Sequence, residues 1–348
     1  MKKKIRLAWI GSGFVGQVAH LSSFSSIPDV EIVALSELRE ELGKRNCQRF
    51  GIKKFYQDYK KMLATEKVDG VVCIVRRYQT YEIAKEVLSR KINLFTEKPM
   101  APTLDQANKL VNLAKKNKLI YIVGNMRRHD SGILKAQKLF NKFLKNRALG
   151  NFIHYKHYVL AGGDYCNIDG YIPSKEKISK KRKFPDSPDW LPVQYEKKYE
   201  KFLNYFIHNF NLLRFYFGKI KQIEFANFND NFGNFYFNHG KFQGSFDFYY
   251  LKNNYWKEKL EIIFSDGIIE VDLPPAFLKN VSATVKILSN KKNIYEEKIP
   301  SFNWSFKNQA IAFVDNLKNK SKGLSSGQDA INDIKIVNDI WKNKFYNL

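Results

Sequence analysis

Ile5-Arg6-Leu7-Ala8-Trp9-Ile10-Gly11-Ser12-Gly13-Phe14-Val15-Gly16 is the stretch on which the fold turns. A short apolar run stops at Gly11, and the glycines then follow the spacing G-x-G-x-x-G. Alone, that spacing is weak. Here it leaves an apolar strand and opens a helical pattern, Phe14 to Phe24, and that context makes it informative. The first glycine permits a tight turn, the second lets a pyrophosphate approach the backbone, and the third allows close helix–strand packing. The N–H groups at the helix start then meet the phosphate charge. Gly11, Ser12, Gly13, Phe14, Val15 and Gly16 are therefore the expected dinucleotide loop.

Such a loop calls for an acid about 20 residues on, at the end of the second strand. Glu37 stands there, after Ile32-Val33-Ala34-Leu35-Ser36. A carboxylate at that point can accept both ribose hydroxyls and repels a 2′-phosphate, which favours NAD. Ser36 and Arg39 beside it leave room for NADP. Outward from this unit, strand and helix patterns alternate: Glu40 to Phe50 as a helix closed by Gly51, Gly70 to Val75 as a strand, and Thr80 to Leu88 as an amphipathic helix. Leu94 to Thr96, Leu104 to Lys116 and Ile120 to Val123 complete a series that reads as a parallel sheet with crossover helices.

After Asn125 the rhythm changes. Ile133 to Phe143 reads as a helix, and period-2 stretches follow at Phe152–Val159, Ile220–Phe228, Phe242–Tyr250, Leu260–Phe264 and Ile268–Val271. Asp266-Gly267 is a hairpin signal, and the group suggests a mostly antiparallel sheet. Two helical patterns, Ala310–Leu317 and Gln328–Ile340, end the chain. The polar stretch between Gly162 and Glu200 reads as a long loop or lid. The expected division is 1–124 for a Rossmann domain and 125–348 for a substrate-binding and oligomerisation domain, with the last helix able to pack back on the first. The fold class is α/β, an N-terminal Rossmann domain plus a C-terminal α+β domain with an open, mostly antiparallel sheet.

Composition sets outer limits. With 348 residues, 44% of them hydrophobic, there is material for about two domains. No apolar run reaches the ~18 residues of a membrane helix, and the Lys-rich start lacks a signal peptide's apolar stretch, so a cytoplasmic protein without a membrane partner is expected. Cys47, Cys73 and Cys166 are scattered, neither a disulfide framework nor a metal site. The net charge of +25 has two readings. One is an anionic partner. The other is coding bias, since Lys, Asn, Phe, Tyr and Ile are abundant together and the basic residues are dispersed apart from Lys180-Lys181-Arg182-Lys183. No nucleic-acid-binding motif accompanies the charge.

Two further elements carry chemistry. Glu97-Lys98-Pro99 follows a short strand, and a lysine at the carboxyl end of a sheet strand is where such sheets bind ligands. A solvated lysine beside a turn proline explains the bare pair equally well. Phe202 to Phe215 reads as an apolar helix ending near Gly218, with Asn204 and His208 on one face and Asn211 further along. Imidazole can accept a proton from an alcohol as hydride leaves. A satisfied core histidine is the alternative.

Together these elements resemble the Gfo/Idh/MocA family of oxidoreductases. The resemblance runs through the glycine loop, Glu37, Glu97-Lys98-Pro99-Met100-Ala101, Val123-Gly124-Asn125-Met126-Arg127-Arg128, the His208 helix and Ser325-Ser326-Gly327. It implies an NAD(P)-dependent oxidoreductase moving a hydride to or from a hydroxyl or ketone carbon. The implied substrate is a sugar, cyclitol or nucleotide-activated sugar, with surface polysaccharide biosynthesis as one setting and a homodimer or homotetramer as the assembly. It carries catalytic roles onto Lys98, His208 and Asn204, with no metal. Arg76 and Glu97 are expected beside the cofactor, and Arg77 and Arg128 toward the substrate with Lys98, Asn204 and His208; Arg76-Arg77 stands where the family usually has a Thr-Pro or similar pair, and plain surface charge is the alternative reading of the two arginines. Asn204 departs from the family's usual aspartate, which would raise the imidazole's basicity; Asn209 and Asn211 also replace frequent acids, and Tyr205 and Tyr165 are further candidates for proton work. These departures keep a second reading open, a dinucleotide-binding regulatory or scaffold protein with little turnover.

Overall fold

A parallel sheet covered on both faces needs strands that are apolar on both sides. Ile5–Ile10 (β1), Val30–Ser36 (β2), Gly70–Cys73 (β4), Asn93–Glu97 (β5) and Tyr121–Gly124 (β6) meet that demand, and short Lys54–Tyr56 (β3) joins them. The computed structural model describes residues 4–162, 170–178, 184–253, 255–289, 294–298 and 302–346. Tyr165, Cys166 and the Lys180–Lys183 cluster lie outside them. Two compact units are present. The first comprises Met1–Asn125, Ile168–Ile207 and Phe306–Lys335, and the second Met126–Asn167, His208–Ser305 and Ile336–Leu348.

In the first unit the strands run parallel in the order β3-β2-β1-β4-β5-β6. The crossover helices are Ser22–Ser25 (α1), Glu40–Phe50 (α2), Tyr59–Thr65 (α3), Arg77–Ser89 (α4) and Leu104–Lys116 (α5). The expected Phe14–Phe24 helix is present, running unbroken from Phe14 to Ser25, but its middle, Gly16–Leu21, is π-helical before it passes into α1. Ser22 and Ser23 bond back to the Val18 and Ala19 carbonyls there, the side-chain competition that disturbs regular helix bonding. Edge-to-face rings of Trp9, Phe24, Phe95 and Phe313 fill the core. Phe313 comes from Ser305–Asn319 (α8), so the sheet is sealed by chain from the far end of the sequence.

The second unit is built on eight strands: Phe152–Ala161 (β7), Gln222–Phe228 (β8), Phe232–Asn238 (β9), Gln243–Tyr250 (β10), Trp256–Phe264 (β11), Gly267–Leu273 (β12), Thr284–Ser289 (β13) and Ile294–Lys298 (β14). Their order is β14-β13-β12-β11-β7-β10-β9-β8. Among the described residues of this sheet only β7 and β10 pair parallel; the other pairs are antiparallel. Ser265 and Asp266 form the two-residue turn between β11 and β12, since Phe264 pairs with Gly267. Inward alternation in β9 and β10 buries Phe235, Phe237 and Phe246 against Phe210, with Phe248 packed on Phe235 and Phe246. Ser131–Asn146 (α6) starts on the Asp130 carboxylate, which accepts from the Gly132 and Ile133 amides, an N-cap arrangement. Glu196–Phe217 (α7) and Gly327–Tyr346 (α9) complete the elements, each with residues in both units. Among the described residues no helix is long and apolar enough to cross a membrane.

Candidate dinucleotide site and the Lys98 contacts

At Gly11 the chain turns with φ +87°, and a Cβ there would meet the Ile74 carbonyl oxygen at 2.3 Å. No other residue fits that turn. Its amide donates to Ser36 O at 2.8 Å, which ties the loop to the end of β2. The loop borders a cavity of about 580 Å³ lined by Gly11, Gly13, Phe14, Val15 and Gly16, together with Glu37, Arg39 and Arg76. A Cβ placed on Gly13 would project into space, with only Arg39 Nη2 within 4 Å, at 3.8 Å. Open volume over a bare backbone turn is the cradle a pyrophosphate needs, so the residues present fit a dinucleotide.

Glu37 is 5% exposed and both oxygens of its carboxylate accept hydrogen bonds. Oε2 accepts from Ser12 N at 2.8 Å, Ser12 Oγ at 3.2 Å and Arg39 Nη2 at 3.1 Å. Oε1 accepts from Arg39 Nε at 2.7 Å and Arg39 N at 3.2 Å. Burial pushes this carboxyl up, but the Arg39 side chain, the Ser12 amide and the Arg39 charge outweigh it and hold it below the ordinary glutamate value. The carboxylate expected to face ribose hydroxyls thus also fastens the glycine loop to Arg39.

The stretch read as a loop or lid contributes Tyr171, Ile172, Pro173, Ser174 and Ile178 to the same cavity. Ile172 exchanges two hydrogen bonds with the Gln17 side chain, at 2.7 and 3.1 Å, and Tyr171 packs edge-on against Phe14 with ring centroids 5.1 Å apart. Glu176 reaches the first turn of α2. Gln17 could have been noticed as a polar residue within an apolar helical run; nothing in the sequence points to Glu176.

Lys98 leaves the carboxyl end of β5 after Glu97, and the Lys98-Pro99 peptide is cis. Its Nζ donates to the Asn204 carbonyl at 2.8 Å and to Asn204 Oδ1 at 3.3 Å. Burial holds the ammonium below the ordinary lysine value, with the Glu97 charge pulling the other way. Glu97 Oε2 accepts from the Lys98 amide at 3.0 Å, and Oε1 meets Nε2 of the fully buried His20 at 2.8 Å. Gly124 makes room for this carboxylate, since a Cβ there would lie 2.8 Å from Oε1. Sequence reasoning had no role for His20; its position inside the apolar turn after Gly16 was the available signal. Arg77 is held by Glu200, with Nη1 on its carbonyl at 3.0 Å and Nη2 on Oε1 at 2.5 Å. Arg76 lines the dinucleotide cavity.

In the second unit His208 is half-buried on α7. The asparagines near it pair with charge. Asn209 donates to Glu258 Oε1 at 3.2 Å, and Asn211 accepts from Arg128 through Oδ1 at 2.7 Å and its carbonyl at 3.3 Å. Arg128 also stacks over Phe215, 5.2 Å from the ring centroid. Glu258 is further paired with Arg127 and lies 3.4 Å from His157 Nε2, all three buried. Tyr205 is exposed.

Residues 5–125 match the family model described as oxidoreductase family, NAD-binding Rossmann fold. The myo-inositol 2-dehydrogenase of Thermotoga maritima is 25% identical over 134 residues, 38% of this chain and 40% of that protein. The chain therefore matches about two fifths of the length of this curated relative. Likeness of fold is far more extensive. A Clostridium difficile dehydrogenase (MviM) superposes with TM-score 0.76 at 16% identity, covering 98% of this chain and all of the other. KijD10, a 3-ketoreductase from Actinomadura kijaniata solved with NADP and TDP-benzene, gives 0.74 at 16% identity and covers 98% of each chain.

Proposed function

Taking the chain as a member of the Gfo/Idh/MocA oxidoreductases by its residues 5–125, we propose that it oxidises or reduces a hydroxyl or ketone carbon of a sugar, cyclitol or nucleotide-activated sugar. The carrying observation is the glycine-loop cavity closed by Glu37, in the same unit as a lysine held at the carboxyl end of β5. A bound nicotinamide supplies the hydride acceptor or donor. The chain's own residues do the rest. The Gly11–Gly16 loop receives the pyrophosphate, and Glu37 serves the adenosine ribose. Lys98, whose ammonium is partly desolvated and held by Asn204, donates to the substrate oxygen and favours the alkoxide-like state. His208 takes or returns the hydroxyl proton. The names of the relatives above support a polyol or nucleotide-sugar substrate.

The test is absorbance at 340 nm with NAD(H) and NADP(H) against a panel of sugars, cyclitols and nucleotide sugars. Lys98→Ala is expected to lower kcat/KM by about 10²–10⁴-fold, the scale of a positioned acid–base group, with dinucleotide affinity retained. Full activity in Lys98→Ala or His208→Ala removes the assigned roles. Dinucleotide binding without turnover across the panel favours the regulatory reading, which rests on Asn204 where the family's acid would stand.

A further inference from the structure

Helix α2 starts just after Glu37 and Arg39, at the point where a Rossmann domain meets the adenosine ribose. Free amides at a helix start and the positive end of its dipole make such a point a ready anion site. In this chain a side chain from far along the sequence already holds it. Glu176 Oε1 accepts from the Glu41 amide at 3.1 Å and Oε2 from the Leu42 amide at 3.0 Å. Ser174 fixes the carboxylate, donating through Oγ to Oε2 at 3.0 Å while accepting from the Glu176 amide at 3.1 Å. Burial would raise this carboxyl, yet the Leu42 and Glu41 amides, Ser174 and the Arg39 charge together hold it below the ordinary value. The nearby guanidinium is engaged as well, with Arg39 Nε and Nη2 on the two oxygens of Glu37.

A 2′-phosphate would need the amides and the guanidinium that these two carboxylates occupy, and it would face both negative charges. A ribose 2′-hydroxyl needs neither donor and can itself donate. We propose that Glu176 is a specificity-determining residue which, with Glu37, excludes the 2′-phosphate of NADP(H) from the end of β2 and so selects NAD(H). This is selection by a repulsive element as much as by an attractive one. It rests on the dinucleotide-binding reading above. It places part of the cofactor choice in the 170–178 segment, outside the strand–loop–helix motif that ordinarily decides it.

The experiment is titration of the full-length protein, Glu176→Gln and Glu176→Ala with NADH and with NADPH, by calorimetry or tryptophan fluorescence. Wild type is expected to prefer NADH, and both variants to raise the NADPH-to-NADH affinity ratio about tenfold or more, with Gln removing charge but keeping shape. A ratio within twofold of wild type in both variants overturns the proposal, as does equal loss of both affinities, the signature of a structural anchor. Wild type binding NADPH as tightly as NADH overturns it too, while leaving the dinucleotide reading intact. Wild type binding neither removes that reading and this inference together. Should Glu176→Ala fail to fold, Glu176→Gln decides the matter.

Discussion

Among the described residues each unit sets a buried glutamate against an arginine, and the two pairs are put to different ends. Glu37 and Arg39 are two residues apart in sequence and border a cavity. Glu258 and Arg127 come from distant parts of the chain and are enclosed with His157 and Asn209. The first pair keeps charge at a surface a ligand can reach. The second holds β11 to the turn before α6 and to α7. Burial and an ion pair alone therefore do not mark a binding site; the adjoining open volume does.

The largest expected effect falls on the enclosed pair. Glu258→Ala leaves Arg127 buried without its carboxylate and should cost about 3–5 kcal/mol of stability, read by denaturant or thermal melting. Arg127→Met combined with Glu258→Leu should recover most of that loss, because apolar replacement of both partners is often neutral or better. A smaller effect belongs to the cavity side. Gly11→Ala forces an L-residue into a left-handed turn facing the Ile74 carbonyl, a strain of roughly 1–2 kcal/mol, and should weaken NADH binding about tenfold while the second unit's melting is untouched. If Gly11→Ala unfolds the second unit, or Glu258→Ala changes only cofactor affinity, the contrast between the pairs is broken.

The smallest effect is a pH dependence. The Glu37 carboxyl is held below the ordinary glutamate value by Arg39 and the Ser12 amide, against the opposing push of burial. Its contribution is present in full above that value and is lost as pH falls through the depressed folded value. Dinucleotide affinity should thus be flat through neutrality and decline only below about pH 4.5. Glu37→Gln should remove that acid limb. A decline beginning near pH 7 in wild type would assign it to another group.

How much was legible follows the same contrast. The glycine loop was readable because a backbone shape at Gly11 dictates residue type. Glu37 was readable because its distance from the loop is set by one βαβ unit, and Lys98 because it ends a strand. In the second unit, period-2 patterns marked faces but not partners. Nothing in β7 or β10 announces that they pair parallel across the intervening chain. β9 went unnoticed because Gly233, Asn234 and Asn238 interrupt its aromatic alternation. β13 and β14 are short and carry lysines. Glu176, and the partner that gives His20 its role, escaped the sequence for another reason. Each matters through one long-range contact, to the start of α2 and to Glu97, and a single contact leaves no periodicity.

The stitch between β6 and the end of the chain bears on how the protein is made. β6 is the outer strand of the parallel sheet. Val123 donates to Ser325 O at 2.9 Å, Ser326 forms a bridge with Ile122, and Gly327 lies against Tyr121. On a translating ribosome, Gly124 emerges some 200 residues before Ser325, about 10–40 s at ordinary elongation rates. Through that interval the nascent sheet has an uncapped margin and lacks Phe313 for its aromatic core. Completion of the dinucleotide domain thus waits for synthesis of Phe313 and Ser325–Gly327, and a chain stalled before them presents an open strand edge, the kind of margin that invites pairing with another chain.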